Sequence, residues 1–215
     1  GAKVKAKITD DMSAKLTELV EDAKAGNWKS KLEESIIQMI LNHDSKDESL
    51  MWYGHMVTQC EIKRDLSMNS PAGVRFMFNK YELFINPLLF GLYSTEHQIA
   101  ILKHEMLHII NLHVVRQRDR HAKKWNYSTD ISINQLIKNI PPDGLQPETY
   151  KLEKNLNAEI YYEQIPYEDE DCEECGGGGN GEGDTVEVGE GGEVGEGGEG
   201  VQIIDNEQKL KDMLH

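Results

Sequence analysis

Residues 103–113 read KHEMLHIINLH. Three histidines and a glutamate stand in a run dominated by Ile, Leu and Met. The wider stretch 95–120, TEHQIAILKHEMLHIINLHVVRQRDR, is apolar at Ile99, Ile101, Leu102, Met106, Leu107, Ile109, Ile110 and Leu112. These positions cover almost every side of a helix, so the spacing predicts one long helix buried on most faces. Buried imidazoles need partners, and a buried carboxylate needs one more. Core histidines with ordinary hydrogen-bond partners are one answer, and a metal site is the other. The spacing favours the metal. His104 and His108 are four residues apart, which on a helix means about 40° and one turn. Two imidazoles then lie at chelating distance, and imidazole suits Zn2+. Glu105 lies about 100° further round, too far to share the ion but able to reach a water beside it. An H-E-x-x-H helix thus carries two ligands and a general base on one rigid element.

Catalytic zinc usually has a third protein ligand and one open position. His113 is one candidate. It lies five residues past His108, about 140° round, and reaches the ion only if the helix breaks near Asn111, where no glycine helps. The other is Asp130, in WNYSTDISIN, 22 residues after His108. A returning helix can bring its carboxylate to the two rings, and Asn134, four residues on, can steady it. Asp130 is preferred, His113 competes and Glu159 is a remote third. Tyr127 or His121 could donate to a developing oxyanion. Trp125 reads as core packing, and His55 and His97 as structural or solvent-facing.

Working outward, residues 10–24 place Met12, Leu16, Leu19, Val20 and Ala23 at helical spacing, with Gly26 after the end. Residues 30–42 repeat this, with Ser30 and Glu33 as a capping-box pair and Leu32, Ile36, Ile37, Ile40 and Leu41 as the stripe. MVTQCEIKR alternates weakly, as a strand does. GVRFMFNKYELFINP predicts a hairpin: Val74, Phe76 and Phe78 outbound, Asn79-Lys80 turning, Tyr81, Leu83 and Ile85 returning, and Pro87 stopping the strand. Before the long helix, Ser94 or Thr95 is the cap, with Gln98 as reciprocal partner. After it, NYSTDISINQLIKN predicts a helix with Ile131, Ile133, Leu136 and Ile137 inward, and 157–164 a last short one.

The formal charge is −15 over 215 residues, but residues 1–166 carry 22 acids against 21 bases. Residues 167–200 hold thirteen acids and no base. That excess argues against a nucleic-acid partner. The chain divides into a folded unit at 1–166, an acidic Gly-rich linker expected to be disordered at 167–200, and a short segment of helix-compatible pattern at 201–215. Cys60, Cys172 and Cys175 are too few for a disulfide framework, and Cys172–Cys175 alone cannot form a four-ligand zinc site, so it reads as linker thiols. No apolar run reaches about 18 residues, so no membrane span is expected. No signal peptide is evident, and a cytoplasmic location is the expectation.

LKHEMLHIINLHVVRQ, preceded by YELFINPLLF and followed by KKWNYSTDISINQLI, resembles the metallopeptidase domain found N-terminal to von Willebrand factor A-like domains in bacteria and, in shortened forms, in phages. The shared pattern is H-E-x-x-H-x-x-x-x-H, then W-N-x-x-x-D-x-x-x-N: His104, Glu105, His108, His113, Trp125, Asn126, Asp130 and Asn134. The resemblance covers roughly residues 30–166, with an acidic Gly-rich stretch following in both. It implies an α+β, zincin-like fold: N-terminal helices, a small three-stranded sheet, the H-E-x-x-H helix and a further helix bringing the third ligand. It implies His104 and His108 as ligands and Glu105 as base, and leaves His113 and Asp130 both open. The expected activity is zinc-dependent hydrolysis of a protein or peptide, in the host cytoplasm if phage-encoded. The rival reading is an inactive, metal-stabilised binding or assembly module of a phage or bacterium.

Overall fold

The computed structural model describes residues 10–41, 47 and 49–166, which form a mixed α+β fold of eight α-helices and one three-stranded sheet. The expected linker at 167–200, with Cys172 and Cys175, and the segment 201–215 lie outside the described residues.

Helices α1 (Asp10–Ala25) and α2 (Trp28–Ile40) meet at Gly26, whose φ of 81° suits a residue without Cβ. The Ser30 cap is not used. This turn delivers the chain already helical, and the Ser30 backbone N–H donates to Asn27 O. The buried face of α2 is therefore Trp28, Leu32, Ile36 and Met39. Ile37 and Leu41, expected inside, fall on the opposite side and are 52% and 61% exposed. Helix α3 (Ser49–Val57) replaces the start of the expected strand. Gly54 lets it close on α2, because a Cβ there would stand 2.9 Å from Met39 Cβ.

Strands β1 (Glu61–Arg64), β2 (Ala72–Met77) and β3 (Lys80–Ile85) order as β1-β3-β2. β1 runs parallel to β3, and β2 antiparallel. Met77 pairs with Lys80, so the hairpin turns on Phe78-Asn79, one residue earlier than expected. Both turn residues have positive φ (50° and 62°), as a two-residue type I′ turn requires. Phe78 thus leaves the strand face and is 87% exposed. Glu82, on the central strand, is buried between Lys63 of β1 and Arg75 of β2, whose Nε donates at 2.6 Å. Pro87 opens the short helix α4 (Pro87–Gly91), where Asn86 Oδ1 accepts from the backbone N–H groups of Leu88 and Leu89.

Helix α5 (Thr95–Ile110) is capped by Ser94, whose Oγ accepts from His97 N–H. Gln98 forms no capping box. It accepts from the Ser35 hydroxyl at 2.8 Å and donates to the Phe90 and Tyr93 carbonyls, tying α2 and α4 to α5. One face of α5 joins the main core with Leu32, Met39, Val74, Leu83 and Ile85. Another packs Ala100 and Leu107 on Ile133 and Ile137. Burial on two sides accounts for its apolar residues lying nearly all round.

The long helix predicted over 95–120 breaks. α5 stops at Ile110, Leu112 takes a left-handed conformation (φ 55°, ψ 33°), and α6 (His113–Arg116) sets off in a new direction. Arg116 Nη1 donates to Asn111 O at 2.8 Å, and Arg116 Nη2 reaches Glu159 at 2.7 Å, so Glu159 is already engaged. Helix α7 (Ala122–Asn134) begins four residues before Asn126, the expected start, capped by His121. Leu136 falls beyond its end and is exposed. Helix α8 (Ala158–Gln164) packs Tyr161 on Ile131, with Ile165 alongside. Among the described residues no helix is long and apolar enough to cross a membrane.

Candidate metal centre

Helices α5 and α7 form the floor of a cleft of about 310 Å³, and the entry to β2 forms its opposite wall. His104, Glu105 and His108 reach it from α5, and Asn126, Tyr127, Asp130 and Asn134 from α7. Asn69–Gly73 line the β2 side.

One donor atom from each of His104, His108 and Asp130 lies within 4.8 Å of the other two. The two Nε2 atoms are 2.8 Å apart, and Asp130 Oδ1 stands 3.4 Å from that of His104 and 3.2 Å from that of His108. Ligand atoms about 2.1 Å from a tetrahedral ion stand roughly 3.4 Å from one another. Two imidazoles and one carboxylate at these separations fit a divalent transition ion.

The other nitrogen of each ring is also held. His104 Nδ1 is 2.8 Å from Asn134 Oδ1, and Asn134 Nδ2 donates to Leu145 O at 2.9 Å. That second bond fixes which way the amide faces, so His104 donates from Nδ1 and turns Nε2 to the cleft. His108 Nδ1 is 3.1 Å from His113 Nδ1. The break at Leu112 brings His113 behind His108, away from the cleft, and His113 is not part of the three-donor cluster. Trp125 is fully buried and its Nε1 donates to the His113 carbonyl at 2.9 Å.

Charge is concentrated here. Burial alone lowers the His104 imidazole, but Asp130 overrides it and raises His104 to about 9. Burial raises Asp130, and the two imidazoles more than reverse this, holding it well below the usual carboxylate range. Burial and the neighbouring His104 push His108 down, and burial with His108 pushes His113 down as well. Glu105, 6% exposed, is raised to about 7, chiefly by desolvation, with His104 opposing and Asp130 adding.

Of the other residues singled out in the sequence, Tyr127 lines the cleft. His121 is exposed at the start of α7, where its ring accepts from Lys124 N–H, and it does not line the cleft. His55 is exposed on α3. Asn126, which in the sequence stands out only as a motif letter, has a buried Oδ1 with no hydrogen-bond partner among the described residues. It sits one turn before Asp130 on α7. No local sequence signal distinguishes such an oxygen from any other asparagine.

Residues 64–210 match the model of the family described as "Putative metallopeptidase domain", and the chain belongs to that family. The match begins at the end of β1 and takes in every residue of the centre. No curated protein and no solved structure matches the chain.

Proposed function

We propose that the domain is a zinc-dependent peptidase in which His104, His108 and Asp130 hold the ion and Glu105 is the general base. The convergence of the three donors on the cleft floor beside Glu105 carries this reading. When bound, a zinc ion supplies Lewis acidity toward a carbonyl oxygen and toward water. Glu105 takes the proton of the attacking water and delivers it to the leaving amide nitrogen. Burial beside the donors favours the protonated form of Glu105, which suits a carboxyl that must both take up and give back a proton. Asn134 keeps the His104 proton on Nδ1. Three donors among the described residues would leave such an ion an open position, which catalysis needs and a closed structural site lacks.

The peptide would lie along β2. Strand β3, Tyr81–Ile85 included, is central, because β1 pairs with its other side. β2 is the edge that meets the cleft. Asn86 N–H donates to Pro71 O, so the alternation of an antiparallel pair turns the Ala72 carbonyl away from β3. That carbonyl now accepts from Ser70 Oγ at 3.0 Å, a bond that an added peptide strand replaces. Asn126 lines the same cleft, and a rotation of its side chain would bring the buried Oδ1 to a substrate N–H.

The test is Glu105→Gln assayed on a peptide library by mass spectrometry, with zinc content measured beside it. The variant should keep its zinc and lose cleavage by at least about a hundredfold. Undiminished cleavage rules out Glu105 as the base. Zinc uptake with no cleavage by the wild type favours the metal-stabilised binding module instead.

A further inference from the structure

The break between α5 and α6 is strained, and its result is one buried histidine that holds no place among the three donors. Leu112 adopts a left-handed backbone with no glycine to ease it. Without the break, His113 would point about 140° away from His108. With it, the two Nδ1 atoms face each other at 3.1 Å, and His113 is 2% exposed. Trp125 Nε1 holds the His113 backbone from one side, and Arg116 closes the break from the other through Asn111 O.

We propose that His113 is a positioning residue whose Nδ1 accepts the Nδ1–H of His108, fixing the tautomer and the ring plane with which His108 presents Nε2 to the cation. This rests on the zinc reading proposed above. Two nitrogens at that separation share one proton. A ring that ligates through Nε2 must carry its proton on Nδ1. His113 therefore does for His108 what Asn134 does for His104. The acceptor here is a neutral imidazole in place of the more usual carboxylate or carbonyl, so the ion is braced without an added negative charge. His113 is then no ligand, although it lies five residues from one.

The experiment compares zinc affinity of the full chain, by competition with a chromogenic chelator, for the wild type, His113→Leu and His113→Asn. Leucine fills space but accepts nothing, so zinc should bind about 10- to 100-fold more weakly. Asparagine places a carboxamide oxygen near the old Nδ1 and should restore affinity to within a few-fold of wild type. Leucine binding as tightly as wild type overturns the proposal. A second measurement needs no variant: nitrogen-15 spectra of the wild type loaded with cadmium-113. Coupling to two imidazoles, both through Nε2, with a protonated His108 Nδ1 and a bare His113 Nδ1, is the expected pattern. Coupling to three imidazoles makes His113 a ligand and overturns it. A wild type that binds neither metal overturns the zinc reading itself, whereas wild-type binding with an indifferent leucine variant removes only His113.

Discussion

The amide oxygen of Asn126, like that of Gln117, is buried with no partner among the described residues, and Asn126 alone of the two lines the cleft. An unsatisfied buried acceptor costs about 1–3 kcal/mol. Asn126→Ala removes that cost, so thermal melting should stay level or rise. If the oxygen serves the substrate, kcat/KM on any peptide the wild type cleaves should fall about tenfold, with zinc content unchanged. A loss of stability with no kinetic effect would make Asn126 structural. Residues close in sequence are the easiest to read. His104, Glu105 and His108 announce themselves because one helical turn dictates their geometry. Asp130 stands out as an acid among Thr129, Ile131 and Ile133, and it does meet the two rings. The place of His113 is not legible. It depends on Leu112 accepting a conformation that leucine rarely adopts.

Among the elements, the β2–β3 hairpin is open to direct test. Its type I′ turn needs positive φ at both residues, and Phe78 suits this poorly. Phe78→Asn should stabilise the fold by about 1 kcal/mol, read by urea denaturation. Glu82 gives the sheet a pH dependence. Burial raises its carboxyl, but Lys63 and Arg75 outweigh that and leave it below its usual value of 4.5. A depressed acid stabilises the fold above its unfolded pKa, and the contribution fades as pH falls through the folded one. Glu82→Gln should therefore cost about 2 kcal/mol at pH 7, and the gap from wild type should narrow below about pH 4.5. A gap constant from pH 7 to 3 would show that the charge contributes nothing. The hairpin itself is readable from aromatic and β-branched alternation, and its order in the sheet is not. Nothing local in Glu61–Arg64 says that it pairs with the far side of β3. The end of the short helix α3 reads as strand for a related reason: a few alternating residues cannot be told from one helical face at that length.

For the whole molecule, the last buried anchor among the described residues is Ile165, packed with Tyr161 and Ile131. A chain ending at residue 166 should melt within about 2 °C of the full chain and take up zinc equally. One ending at 157 should lose several kcal/mol, since α8 leaves with Tyr161 and with the carboxylate that pairs with Arg116. Calorimetry of the two truncations decides where the domain stops. Zinc at about a hundredfold over its dissociation constant should add roughly 2.7 kcal/mol of stability, removable by a chelator.

The Arg116–Glu159 pair has a further consequence, for how the protein is made. The helix bearing His104 and His108 leaves the ribosome 22 residues ahead of Asp130, and Glu159, which steadies the corner beneath them, follows 29 residues later still. If these residues hold the ion as proposed, a nascent chain exposes two of its ligands well before the third is made. On the proposed function, loading with the cation, and with it any cleavage, would wait until Glu159 has been made.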